Sequence, residues 1–370
     1  MVVLALTAAV VGAVHGGFTD LDVYRYGGRA VLEGVAPYAG REPVHDLPFT
    51  YPPFAAVAMA PLAALPAWLC AALWTAATAG ALAGVVFVVR GALGRPRPGW
   101  LVAAVAGAAF ALEPVWQNAT FGQVNVLVML AVLVDLLGPQ RRWSGVLVGL
   151  AAAVKLTPLL LVVLLVLVGR RSAALRALAV FVGCLVVGMV LVPGAASYWT
   201  EGLLRADRVG PPALAHNQSV YGVLTRVLGH EPSTALWLAV ATPIAVTVLV
   251  VAVALWRRGD PALATCLAAL AMLLASPVSW SHHWVWAAPV ALVLWERSRG
   301  GAVLWVAVFV ARPILWPPWG DGRELGWSAG EQVLGSGYVL AALAVATWAW
   351  VSLERSPQDT TLRRCSSTTT

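Results

Sequence analysis

The chain has 370 residues, 60% of them hydrophobic and 11% charged, with a mean hydropathy of +0.81. A soluble domain carries roughly 25% charged residues, so the composition excludes a soluble globular class and indicates a membrane-embedded domain, read here as residues 1–353, followed by a polar tail, 354–370. The formal net charge of +7 comes almost wholly from arginine, with Lys155 the only lysine. These arginines sit in short clusters between apolar stretches and form no groove interleaved with aromatics, which argues against nucleic acid as a partner.

The first apolar segment, Val2–Val14, has no basic flank before it and reads as a first transmembrane helix rather than a secretory signal. The stretch that follows, Gly16–Phe54, contains Asp20 and Asp22 just past that segment. If it is helical, Asp20 and Tyr24 share a face while Asp22 lies well around from them. A carboxylate at a water–lipid boundary suits a general base acting on a hydroxyl; it equally suits an acidic helix start stabilised by the macrodipole. The run Tyr51-Pro52-Pro53 fixes an extended approach to the next helix and offers Tyr51 to a site.

Further spans are expected at Ala67–Val89, Trp100–Val115, Gly122–Leu137, Leu175–Val192, Thr234–Trp256, Ala262–Ala275 and Val333–Val351, with shorter ones at Trp284–Leu294 and Ala302–Val310. Gln123 and Asn125 open one of these spans, where amides bind sugar hydroxyls or join helices. Asn118-Ala119-Thr120 matches a weak glycosylation pattern. Trp143–Val168 is too short for two full spans and is interrupted by Lys155-Leu156-Thr157-Pro158, so it is either a re-entrant hairpin or a pair of short spans. A lysine at such a break either binds a phosphate as a point charge or snorkels to the interface.

Two later polar clusters stand out: His216-Asn217-Gln218-Ser219, and Ser279-Trp280-Ser281-His282-His283-Trp284. Adjacent histidines point in different directions and make no ready metal site. One of them is suited to donate to a phosphate oxygen while the other packs, or the pair belongs to an interfacial aromatic belt. The cysteines, Cys70, Cys184, Cys266 and Cys365, show no metal or redox spacing.

One set of inter-segment gaps holds 15 arginines (Arg90, Arg95, Arg97, Arg141, Arg142, Arg170, Arg171, Arg176, Arg257, Arg258, Arg297, Arg299, Arg355, Arg363 and Arg364). The alternate gaps hold the other 8: Arg25, Arg29, Arg41, Arg205, Arg208, Arg226, Arg312 and Arg323. The positive-inside rule assigns the first set, and the tail, to the cytoplasm. The long loops rich in tryptophan, proline and histidine then face outward from a cell membrane.

Several of these pieces recur in a known order: Asp20-Leu21-Asp22-Val23-Tyr24, Gly34-x-x-Pro37-Tyr38, Phe49-Thr50-Tyr51-Pro52-Pro53-Phe54, Gly122-Gln123-Val124-Asn125, Lys155-x-x-Pro158, His216-Asn217-Gln218-Ser219 and Ser276-Pro277-x-Ser279-Trp280-x-His282-His283-Trp284. As an ordered set, spanning about Asp20 to Trp350, they resemble glycosyltransferase family 87, the polyprenyl-phosphate-mannose-dependent α-1,2-mannosyltransferases of actinobacterial cell envelopes. The resemblance implies an all-α integral membrane protein of the GT-C type, a polytopic bundle of about 10–12 helices with short broken helices and long outward loops. It implies an extracytoplasmic active site, a polyprenyl-phosphate-mannose donor, a mannosylated glycolipid or lipoglycan acceptor, and no cofactor or metal. It also implies inversion at the anomeric carbon, with Asp20 as the base and Asp22 in reserve. His282 and His283 are then expected near the donor phosphate, joined by Lys155, Arg205 and Arg208 as cations for the leaving group. Tyr24, Tyr51, Gln123, Asn125, His216, Asn217 and Gln218 remain as candidate substrate contacts. The alternatives are a GT-C enzyme using polyprenyl-phosphate arabinose or glucose, and a transporter or flippase. The latter calls for repeats and midplane charges that only Lys155 and Asp135 approach.

Overall fold

The structure, a computed structural model, describes residues 17–202 and 206–355. The expectations placed on Val2–Val14, Arg205, Cys365 and most of the polar tail lie outside the described residues. Among them, four helices are long and apolar enough to cross a membrane: Ala67–Ala92, Arg171–Leu191, Thr234–Arg257 and Gly337–Arg355. A fifth candidate is bent by 89° between Gly99–Ala111 and Glu113–Phe121. The chain is therefore the multi-pass helical membrane protein its composition calls for. Two expected spans are corrected. Trp100–Val115 turns sharply at Leu112, where Pro114 near the start of the next helix lacks an N–H to continue the previous one. Val333–Val351 is divided at Ser336 into Ala329–Gly335 and Gly337–Arg355.

The basic gaps gather at one end of the bundle. Arg95 pairs with Glu296, Arg297 with Asp260, and Arg258 donates to the Leu353 carbonyl. Arg257 donates to the Leu167 carbonyl, Arg170 to that of Leu136 and Arg176 to that of Ser144. Helix termini leave carbonyls unpaired, and arginine satisfies them while complementing the C-terminal dipole.

The interrupted stretch forms helix α1, Val146–Val154, and helix α2, Leu159–Leu167, of nine residues each. At ~1.5 Å per residue each is roughly 14 Å long, about half a bilayer core of ~30 Å. Helix α1 leaves the basic end and α2 returns to it, with Lys155 at the turn between them, so the segment is a re-entrant hairpin. Asp135 holds its base: the carboxylate accepts from the backbone N–H groups of Gly145 (2.6 Å) and Val148 (3.0 Å) at the start of α1. Asp135 is thus a helix cap and not a midplane transport charge.

At the opposite end, Thr19–Glu33 is an amphipathic helix that buries Leu21, Tyr24, Gly27, Gly28 and Ala30. It packs on Pro53–Ala63 and contributes to a second apolar cluster with Phe49, Tyr51, Met59 and Trp74. A short hairpin, Arg41–Glu42 paired with Leu47–Pro48, follows it.

Candidate active site

A cavity of about 580 Å³ opens at the end away from the basic gaps, within the range of small-molecule sites. Among the described residues, Asp20 is the single carboxylate in its lining, facing Lys155, Arg41, Arg208, His282 and His283. The excess of cations over acids fits a site for an anionic group.

Asp20 lies in the first turn of its helix, and that helix is seated by Gly122. Gly122 ends Glu113–Phe121 in the left-handed region (φ 68°). A Cβ there would meet the Leu21 Cβ at 2.8 Å, so only glycine admits this approach. The next residue, Gln123, then reaches the cavity. Its Oε1 accepts from the hydroxyls of Tyr24 (2.8 Å) and Tyr51 (3.3 Å), and these hydroxyls lie 3.0 Å apart. Its Nε2 lies 3.3 Å from His282 Nε2, and the amide stabilises the charged form of Asp20. Burial raises the Asp20 pKa from 3.8 to about 6, while Gln123, Lys155 and His45 oppose the rise.

Lys155 enters the cavity from the tip of the re-entrant hairpin. Its Nζ donates to Asn125 Oδ1 at 2.6 Å, and Asn125 Nδ2 donates to the His282 carbonyl at 2.9 Å. Asn125 thus ties the lysine to the histidine loop rather than lining the cavity itself. Burial, reinforced by the charge of Lys155, pushes both His282 and His283 well below the usual imidazole value, which favours the neutral ring in each. Arg208 donates to the Phe49 carbonyl (3.2 Å) and lies 5.9 Å from the ring centroids of both Tyr38 and Tyr198.

Other expected residues stand elsewhere. Asp22 does not line the cavity; it faces His45 (3.6 Å) and Arg25 (4.0 Å). Tyr24 is fully buried beneath Gln123 and has no face toward the cavity. Asn217 and Gln218 are also fully buried, and both amides are spent on backbone. Asn217 bonds the Pro212 and Pro277 carbonyls and the Ser279 N–H; Gln218 bonds the Ala215 and Gly335 carbonyls and the Tyr338 N–H. Their position corrects the expectation of substrate contact: they fasten the loop that carries the histidine pair. His216 lies off the cavity, 3.1 Å from Ser281 Oγ and edge-on to Trp319. Asn118 is buried and donates to the Gln123 carbonyl, which leaves no acceptor for a glycan.

Sequence reasoning missed Arg41, Tyr198 and Trp280 in the lining, and Glu113 behind it. Glu113 is 1% exposed and accepts from the Tyr338 hydroxyl at 2.8 Å. The signal for Glu113 was its place before Pro114, a helix start inside an apolar run.

Residues 49–277 match glycosyltransferase family 87. The chain is 38% identical to a Mycolicibacterium smegmatis protein named polyprenol-phosphate-mannose-dependent alpha-(1-2)-phosphatidylinositol mannoside mannosyltransferase, covering 88% of this chain and 82% of that one. It is also 38% identical to a Mycobacterium tuberculosis protein named polyprenol-phosphate-mannose-dependent alpha-(1-2)-phosphatidylinositol pentamannoside mannosyltransferase, covering 90% and 80%. Among solved structures, ArnT from Cupriavidus metallidurans bound to undecaprenyl phosphate aligns with a TM-score of 0.41 and 18% identity, over 95% of this chain and 75% of that one. On the family match and the identity over most of its length, this membrane enzyme belongs to glycosyltransferase family 87.

Proposed function

We propose that the chain transfers mannose from polyprenyl-phosphate-mannose to a mannosylated phosphatidylinositol-type glycolipid, forming an α-1,2 linkage with inversion on the extracytoplasmic side of the cell membrane. The single observation that carries this reading is the lining of the cavity: one carboxylate, Asp20, opposite a set of cationic and imidazole groups. The activities for which the relatives are named supply the donor and the linkage, and the arginine distribution supplies the side.

In this mechanism ionised Asp20 takes the proton of the acceptor 2-hydroxyl as its oxygen attacks the anomeric carbon. The bond from that carbon to the phosphate oxygen breaks, and its electron pair leaves with the polyprenyl phosphate. The transition state is oxocarbenium-like, with base and leaving group on opposite faces of the sugar. Lys155 supplies a point charge to the leaving phosphate, and the neutral His283 supplies an N–H. Arg41 and Arg208 stand toward the loops, where they fit anionic or hydroxyl-rich parts of the substrates. Asp22, engaged with His45 and Arg25, serves to hold the loop.

The test is transfer of labelled mannose from the polyprenyl donor in membranes containing Asp20→Asn or Asp22→Asn. Asp20→Asn is expected to lose ~10²–10⁴ in rate, the usual worth of a general base, with Asp22→Asn much less affected. Full activity in Asp20→Asn contradicts the role given to it.

A further inference from the structure

Gln123 is bonded on every side. Its carbonyl oxygen faces two tyrosine hydroxyls, and the nearer one, Tyr24, also accepts from the Val124 N–H at 3.2 Å. A tyrosine hydroxyl donates or accepts, but the ionised Asp20 carboxylate only accepts, so it takes the amide NH₂ and leaves the oxygen to the two hydroxyls. The NH₂ therefore points to the other side, toward His282 Nε2 and the Asp20 carboxylate. An amide nitrogen only donates, so His282 Nε2 accepts and the His282 proton sits on Nδ1.

We propose that Gln123 is a positioning residue that holds the base Asp20 and the neutral His282 in one fixed arrangement, with Tyr24 and Tyr51 anchoring its carbonyl oxygen. The inference rests on Asp20 as the base, and replaces the expectation that Gln123 and Tyr24 bind sugar. Gln123 comes from the turn just before Asn125–Leu137, Asp20 from the amphipathic helix and His282 from the segment after Pro261–Ala275. One side chain thus joins the acceptor-activating group to the donor-facing loop. Both N–H donors favour the charged carboxylate and the unprotonated imidazole nitrogen, which is the state in which Asp20 can take a proton.

The experiment is the pH dependence of kcat/KM for the full-length protein in membranes, comparing wild type, Gln123→Glu and Tyr24→Phe. Gln123→Glu keeps an acceptor for the tyrosines but turns an oxygen toward Asp20 and His282. It is expected to lower kcat and move the acidic limb upward by ~0.5–1 pH unit or more, the scale of a lost hydrogen bond to a carboxylate, with little change in KM for the acceptor. Tyr24→Phe is expected to move the limb in the same direction by less, and decides the matter should Gln123→Glu be inactive. A raised acceptor KM with an unmoved limb would make Gln123 a sugar ligand and overturn the proposal. So would a lowered unfolding temperature with an unmoved limb, the mark of a merely structural residue. Either result, alongside an inactive Asp20→Asn, overturns this inference and leaves the base assignment standing; an active Asp20→Asn overturns the base itself.

Discussion

At the residue scale, the site depends on placing one acid among cations in a partly dry cavity. Burial lifts Asp20 to about 6 against the lowering effects of the Gln123 amide and the charge of Lys155. In the proposed mechanism Asp20 works ionised, and a carboxylate is ionised above its pKa. Activity is therefore expected to fall as pH drops through about 6, read as the acidic limb of kcat/KM. Lys155→Met removes the opposing charge and should move that limb upward while weakening stabilisation of the leaving phosphate; a limb that stays put would show that Lys155 and Asp20 do not sense one another. Asp20, Lys155 and the histidine pair were legible because a polar group stands out in an apolar chain. Asn217 and Gln218 stood out equally and were misread. Irregular backbone at depth leaves carbonyls and N–H groups that need partners, and amides supply them. A sequence does not distinguish an amide that serves backbone from one that serves a substrate.

At the scale of elements, the cavity is assembled by short pieces stopped at defined points. Gly122 closes one helix in the left-handed region and lets Leu21 approach. Gly122→Ala is expected to destabilise by about 1–2 kcal/mol from the backbone conformation alone, more with the clash, and to lower activity by shifting Asp20. An unchanged unfolding temperature in detergent would contradict that packing. Asp135→Ala removes the cap from the first helix of the re-entrant hairpin and should cost ~0.5–2 kcal/mol, read the same way. The hairpin itself was half legible: the length and the proline indicated a break, while only the bonds of Asp135, Arg170, Arg176 and Arg257 fix the end from which it enters. The bend at Leu112 was hidden because the apolar run resumes past it, with Glu113-Pro114 as the sole punctuation.

At the scale of the whole molecule, the bundle separates two ends. Arginines bridge helix termini at one, and the cavity with its long loops occupies the other. The alternation was readable from charge alone, because clusters of one sign fall in every second gap. In a cysteine-free background, Val44→Cys, at a 72% exposed position beside the cavity, should react with a membrane-impermeant maleimide in intact cells. Pro96→Cys at the arginine end should react only after permeabilisation; the reverse pattern would invert the topology. The convergence of Asp20, Gln123, Lys155 and His282 from far-apart segments was not readable, since it depends on helix bends that carry no strong local signal.

The most direct test of mannosyl transfer uses the purified wild-type protein in proteoliposomes, with ¹³C-mannose on the polyprenyl phosphate and a phosphatidylinositol mannoside as acceptor. The expected product carries the label as a new α-1,2-linked mannose, assigned by nuclear magnetic resonance of the glycolipid. A β-linked or differently positioned mannose, or transfer only from an arabinose or glucose donor, would contradict it.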